Sequence, residues 1–267
     1  MTSFLFIDGG FLGSLISEAA KAYGVVLSPL TLNYDKITAS FARTFYYDAW
    51  PSRKNETEDE YKAIVAQKQK LFDHINRTSN MQTREGITRS RSPKKKTPLE
   101  QKGVDILLAI DVFKHATLRN ITRAHIMATD LDYFPLFEAL RDTPVSAHLH
   151  CFTNWTSDEL MSLADVVVPI TPYTVLKWFQ VPERDKFVQR LPLEDSGPSN
   201  VIKEGICMGQ PFYIYQEAPS GDRQGFFGRS MVIENTTLMR ADRWEFIVWE
   251  FEDKHLQPIY FERSEAP

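Results

Sequence analysis

Cysteine is scarce. Cys151 and Cys207 are the two in 267 residues, and their spacing fits neither a metal-ligand nor a redox motif. A disulfide scaffold is thereby excluded, and with no secretory start the pair suits a reducing cytoplasm. The N-terminal stretch MTSFLFIDGGFLGSLI lacks a basic leader, and Asp8 interrupts its apolar run, so it does not read as a signal peptide. No uninterrupted apolar run approaches the roughly 20 residues of a membrane span. A soluble, cytoplasmic protein with no membrane partner is the expectation. Net positive charge is missing as well: Lys plus Arg total 31 against 35 Asp plus Glu, giving −4. Any nucleic-acid contact must therefore use a local patch. No Gly-rich fingerprint follows a predicted strand, and the DGGFLG turn lacks a phosphate-cradling lysine motif, which argues against a nucleotide-binding or phosphatase-like α/β enzyme.

What is present is an alternation. Hydrophobic residues make up 43% and charged residues 25%, ordinary for a globular chain. FLFID (4–8) reads as a buried strand ending at Asp-Gly-Gly, with a helix over about 11–22 that ends near Gly24. RTFYYDAW (43–50) is strand-like. Thr57 and Glu60 form a capping box, and Tyr61, Ile64, Val65, Phe72 and Ile75 recur near helical spacing, which predicts an amphipathic helix over 57–77. REGITRSRSPKKKTP (84–98) sets Arg84, Arg89, Arg91, Lys94, Lys95 and Lys96 against Glu85 without apolar periodicity, and reads as a loop. GVDILLAIDVFKHA (103–116) predicts a helix that is apolar on almost every side and hence buried. HIMAT (125–129), VSAHLHCFT (145–153) and DVVVPI (165–170) are strands, with DYFPLFEALRD and a short segment from Ser157 as the helices between them. Such alternation predicts an α/β fold with a mainly parallel sheet flanked by helices. Residues 173–199 read as a linker. Over 200–267, PFYIYQ, GFFGRSMVI and RWEFIVWEFED read as strands of a small β-rich domain.

Asp8, Asp105, Asp130 and Asp132 stand at strand ends or in first helical turns, where ligands of parallel sheets bind. Each has an ordinary reading. Asp130 caps a helix, Asp132 and Asp105 sit where a helix dipole favours an acid, and Asp8 ends a strand before a Gly-Gly turn. Brought together, the same acids would repel unless a hard divalent cation lay among them. Asp111, on the face of Val104, either orients such a group or pairs with a neighbouring base. The 84–96 basic segment and Lys102 either hold phosphates beside the acids or form a solvated loop. The C-terminal aromatics Phe226, Phe227, Trp244, Phe246, Trp249 and Phe251 are core, or else stack on unpaired bases. Self-association or docking of a partner protein through this region is equally compatible with them.

In order, FIDGG (6–10), FYYDA (45–49), KGVDILLAIDVFKHA (102–116), ATDLDYFPLFEALR (128–141) and ELMSLADVVVPI (159–170) resemble the NYN domain. This is the PIN-like nuclease family that includes the LabA-type proteins. The resemblance runs over about residues 3–172, and it sets the expected boundaries at 1–172, 173–199 and 200–267. It implies a PIN-like fold and a ribonuclease that hydrolyses RNA phosphodiester bonds with Mg²⁺ or Mn²⁺ and a metal-activated water. Family acidic positions map onto Asp8, Asp105, Asp130 and Asp132 as catalytic and metal-holding residues, with Asp111, Thr129 and Asp165 behind them. Arg89, Arg91, Lys94, Lys95, Lys96 and Lys102 are the matching RNA-binding candidates. Phe11 stands where many members carry Asn, and Ala128-Thr129-Asp130 replaces the usual Ser-Gly-Asp. The alternative is a non-catalytic PIN-like module that binds RNA or assembles through its β-rich tail.

Overall fold

A computed structural model of the chain describes residues 1–53, 55–86, 103–179, 181, 186–191, 200–216, 225–230 and 238–261. Contacts divide it into two units, Met1–Val167 and Val168–Pro267.

The first unit is built on strands β1 (Ser3–Asp8), β2 (Arg43–Ala49), β3 (Met81–Gly86), β4 (Arg123–Met127), β5 (Ser146–Cys151) and β6 (Val166–Pro169). They form one sheet in the order β3-β2-β1-β4-β5-β6, and β1 pairs parallel with both β2 and β4. The order reverses between β1 and β4, the place where open parallel sheets hold ligands. Helices fill the crossovers: α1 (Gly9–Tyr23), α2 (Tyr34–Thr38), α3 (Glu58–Arg77), α4 (Val104–Thr117), α5 (Phe134–Arg141) and α6 (Asp158–Leu163).

Local sequence accounts for these boundaries. Asp8 caps α1, and Gly24 ends it in the left-handed conformation at φ 63° that glycine adopts without strain. The capping box of Thr57 and Glu60 starts α3 as predicted. The two-residue period of β1 puts Phe4, Phe6 and Asp8 on one face. Phe4 and Phe6 join Phe45, Tyr47, Ala124, Ile126 and Leu149 in a core closed by Val104, Leu108 and Val112 of α4 and by Leu136 and Phe137 of α5. The same alternation sends Leu5 and Ile7 to the opposite face, where α1 contacts β1 and β2 and buries Leu12, Leu15 and Ile16.

Two expectations for this unit are corrected. Residues 84–86 are the end of strand β3 rather than loop, because the parallel register Tyr47↔Arg84 to Ala49↔Gly86 satisfies their backbone. Secondly, α4 is not buried all round: Ile106, Ile110 and Phe113 are 66%, 57% and 42% exposed. The sheet needs only the stripe through Leu108, Val112 and Ala116, and three apolar residues are left on the outer face.

The second unit holds α7 (Pro172–Trp178), β7 (Gln189–Leu191), β8 (Val201–Cys207), β9 (Gln210–Gln216), β10 (Phe226–Ser230), β11 (Leu238–Ala241), α8 (Trp244–His255) and β12 (Tyr260–Phe261). Its strands form an antiparallel sheet in the order β12-β8-β9-β10-β11-β7. A β-rich region was expected over 200–267. The strand reading of RWEFIVWEFED is corrected, since Trp244–His255 is a helix in which every residue from Phe246 to Asp253 is buried. The stretch read as linker contains α7 and β7. The Thr171 hydroxyl donates to the Trp249 carbonyl at 3.2 Å, and Lys177 pairs with Asp253 at 2.7 Å, which ties α7 to α8. Among the aromatics considered for base stacking, Phe246, Trp249 and Phe251 are core.

Candidate active site

Asp8 is fixed by its own helix. Its Oδ1 accepts hydrogen bonds from the amides of Gly10 at 2.8 Å and Phe11 at 3.2 Å, which leaves Oδ2 to face the sheet edge. That oxygen accepts from the Tyr133 hydroxyl at 3.2 Å. Asp105 lies three residues before Leu108, at the head of the stripe by which α4 meets the sheet, and its Oδ1 accepts from the same hydroxyl at 3.1 Å. One phenolic proton therefore serves two carboxylates drawn from positions 8 and 105.

Asp130 follows β4 and caps the single 3₁₀ turn Leu131–Tyr133, accepting from the Asp132 amide at 3.0 Å. Asp130 and Asp132 are exposed. Tyr133, the last residue of that turn, is buried and points inward. The turn after β4 thus offers two acids to solvent and sends one hydroxyl to the other two acids.

The charges respond accordingly. Burial pushes the Asp8 carboxyl above its ordinary value and the Asp105 charge adds to this, while the bonds from Phe11, Gly10 and Tyr133 oppose it. Burial raises Asp105 as well; the Tyr133 bond opposes, and the charges of Asp130 and Asp132 push it further up. Burial, then the charges of Asp8 and Asp105, hold the Tyr133 phenol well above its usual range, so it stays a donor. Asp105 thus feels three of its fellows across one corner. Even so, no group of three or more His, Cys, Asp or Glu among the described residues is already arranged to hold a metal ion. The fold delivers a pair bridged by a hydroxyl, with two further acids in electrostatic reach. As a donor set, four carboxylates suit a hard divalent cation such as Mg²⁺ or Mn²⁺.

The remaining candidates sit elsewhere. Asp111 accepts from the Tyr47 hydroxyl at 3.0 Å and forms an ion pair with Arg84 at 3.3 Å, the neighbouring-base alternative. The Thr129 hydroxyl lies 2.5 Å from that of Thr156, which donates to the Phe152 carbonyl at 3.0 Å. Thr129 thereby joins the turn after β4 to the turn after β5. Asp165 accepts from the Ala147 amide at 2.7 Å, stitching β6 to β5. Phe11 is 5% exposed and packs edge-on against Trp155 at 6.4 Å. Arg89, Arg91, Lys94, Lys95, Lys96 and Lys102 lie outside the described residues.

Two features were not anticipated. The Tyr133 hydroxyl is one, although a tyrosine at a buried aromatic position is itself a signal, because a buried phenol needs a partner. The other is a network at the end of β2, where Asp48 takes an ion pair from Lys68, a bond from the Tyr46 hydroxyl at 3.3 Å and one from the Ala49 amide at 2.8 Å.

The NYN domain family is a member of the PIN-like nuclease superfamily. The NYN domain model matches residues 19–171, more than half of the chain, and this protein belongs to the NYN domain family. Members of this class generally use divalent metals. Among solved structures, the chain is similar to a protein of unknown function from Vibrio parahaemolyticus at 15% identity and a TM-score of 0.43, over 63% of this chain and 93% of that one. No curated protein matches. No described helix is long and apolar enough to cross a membrane.

Proposed function

We propose that this protein is a divalent-metal-dependent ribonuclease that hydrolyses RNA phosphodiester bonds at the corner formed by Asp8, Asp105, Asp130 and Asp132. The observation that carries this reading is the shared Tyr133 hydroxyl, which draws Asp8 and Asp105 together beside the exposed pair Asp130 and Asp132. These four acids would hold Mg²⁺ or Mn²⁺. When bound, such an ion supplies an acidified water and offsets charge on a phosphoryl oxygen.

The chain's own residues have separable tasks. Asp8 is the fixed point, because two helix amides hold its other oxygen. Asp130 and Asp132 face solvent and are the acids that an approaching phosphodiester meets first. One of them orients the attacking water or takes its proton. Excess negative charge would repel RNA, and the basic run Arg89 to Lys96 with Lys102, adjacent in sequence to Asp105, offsets that by contacting phosphates. Such contacts select for backbone and carry no sequence information.

The deciding experiment incubates purified protein with labelled RNA and DNA in Mg²⁺, Mn²⁺ or chelator, alongside Asp130→Asn. Cleavage of RNA that needs the metal and disappears in the variant supports the reading. Equal cleavage by wild type and variant overturns it. A second reading, a non-catalytic module that binds RNA or assembles through residues 200–267 with a protein partner or a second copy, is favoured by the burial of Phe11. Metal-independent RNA binding without cleavage would select it.

A further inference from the structure

Both oxygens of Asp8 are engaged. Oδ1 belongs to the first amides of α1, which leaves Oδ2 as the oxygen turned toward Asp105. That oxygen, and the Asp105 Oδ1 facing it, are the two atoms the Tyr133 hydroxyl contacts. The hydroxyl therefore lies between two of the carboxylate oxygens that would hold an ion. Tyr133 is 1% exposed, and its ring is part of the core.

We propose that the Tyr133 hydroxyl is a placeholder for the cation: it holds Asp8 and Asp105 together in the ion-free protein and must give up its bond to at least one of them when an ion binds. The inference rests on the divalent-ion reading of this corner. Its physical basis is a difference between two states. Without an ion, the O–H dipole is the positive end that keeps two facing carboxylates from an unrelieved repulsion. With an ion between them, the repulsion is answered by a full charge, and the hydroxyl is redundant at best. Tyr133 thus weakens ion binding by stabilising the state that competes with it. This also accounts for the corner being a bridged pair rather than a ready-made metal cage. Tyr133 acts here as a positioning residue, not as a metal ligand.

The test is Tyr133→Phe, which keeps the buried ring and deletes the hydroxyl. Thermal melts at increasing Mn²⁺ are read for wild type, Tyr133→Phe and Asp105→Asn, with isothermal titration of Mn²⁺ on the same samples. Tyr133→Phe is expected to melt lower than wild type in chelator and to reach half-saturation at a roughly tenfold lower Mn²⁺ concentration, since one bond to a charged group no longer has to be surrendered. Asp105→Asn is expected to lose the response. A saturable Mn²⁺ response in Tyr133→Phe with none in wild type supports the proposal in its strongest form. Wild type and Tyr133→Phe saturating at the same concentration, or the variant needing more Mn²⁺, overturns the placeholder role while leaving the ion site in place. No saturable response in either protein overturns both. If the variant does not fold, the tyrosine difference spectrum of wild type on adding Mn²⁺ decides: a change absent in Asp105→Asn is expected, and an unchanged spectrum on a protein that binds Mn²⁺ overturns the proposal.

Discussion

The Nδ1 of His125 lies 2.8 Å from the Nε2 of His150, so the two rings share one N–H and cannot both be fully protonated in this arrangement. The His148 ring packs 4.4 Å from that of His125, and Phe41 closes edge-on at 4.9 Å. Burial lowers His125 to about 4, helped by the charges of His148 and Arg123. Burial lowers His150 to about 3, and the charges of His125 and His148 add to this. His148 is lowered by burial and Arg123, with Asp165 opposing. Unfolded histidine titrates near 6.5, so between roughly pH 6.5 and 4 the unfolded chain binds more protons and stability is lost as the pH is lowered. Urea midpoints measured from pH 7.5 to 4.5 are expected to decline over that window, and His125→Gln to decline less. A flat profile would remove the histidine cluster from the stability of β4 and β5.

The acid corner carries the opposite sign. Asp8 and Asp105 are raised in the folded state, so their charged forms cost stability near neutrality, and that cost is relieved as pH falls toward the unfolded value. Asn caps a helix as well as Asp does. Asp8→Asn is therefore expected to melt higher than wild type at pH 7.5 in chelator while losing RNA cleavage. A lower melting temperature would mean that the charge itself holds the corner together.

Gly9 admits no side chain. A Cβ there would lie 2.7 Å from the Tyr46 ring and hydroxyl and 2.8 Å from the Tyr47 carbonyl oxygen, and the carbonyl belongs to a paired strand. Gly9→Ala should cost about 1–3 kcal/mol in urea unfolding, as overpacked cores do.

The outer face of α4 should tolerate charge. Ile110→Lys is expected within about 0.5 kcal/mol of wild type, whereas Leu108→Ala, two residues away and on the sheet side, should cost about 2–5 kcal/mol. Equal losses in chemical denaturation would show that the outer face is covered in solution.

Near-neighbour rules made much of the first unit readable. The caps at Asp8, Gly24, Thr57 and Ser157 act within three or four residues, and the alternation of apolar runs with helical spacing implied the parallel sheet. What stayed hidden depends on contacts far apart in the chain. The stretch Phe246–Asp253 of α8 is buried on all sides, so it shows no exposed stripe to mark its period, and its aromatics and Ile247-Val248 carry strand propensity. The exposed face of α4 was invisible for the converse reason: isoleucines at 106 and 110 look like core until the sheet occupies only one side. Four acids were picked out, but the hydroxyl that joins two of them reaches across 125 and 28 residues. No local pattern encodes that meeting.

Because the corner takes its parts from position 8, position 105 and the turn at 130–133, it is absent from any chain that ends before Tyr133. A nascent polypeptide has the first acid almost at once but acquires the last only after β4 has been made and laid against β1. The order of synthesis therefore delays the meeting of these side chains until the strands on both sides of β1's acid exist.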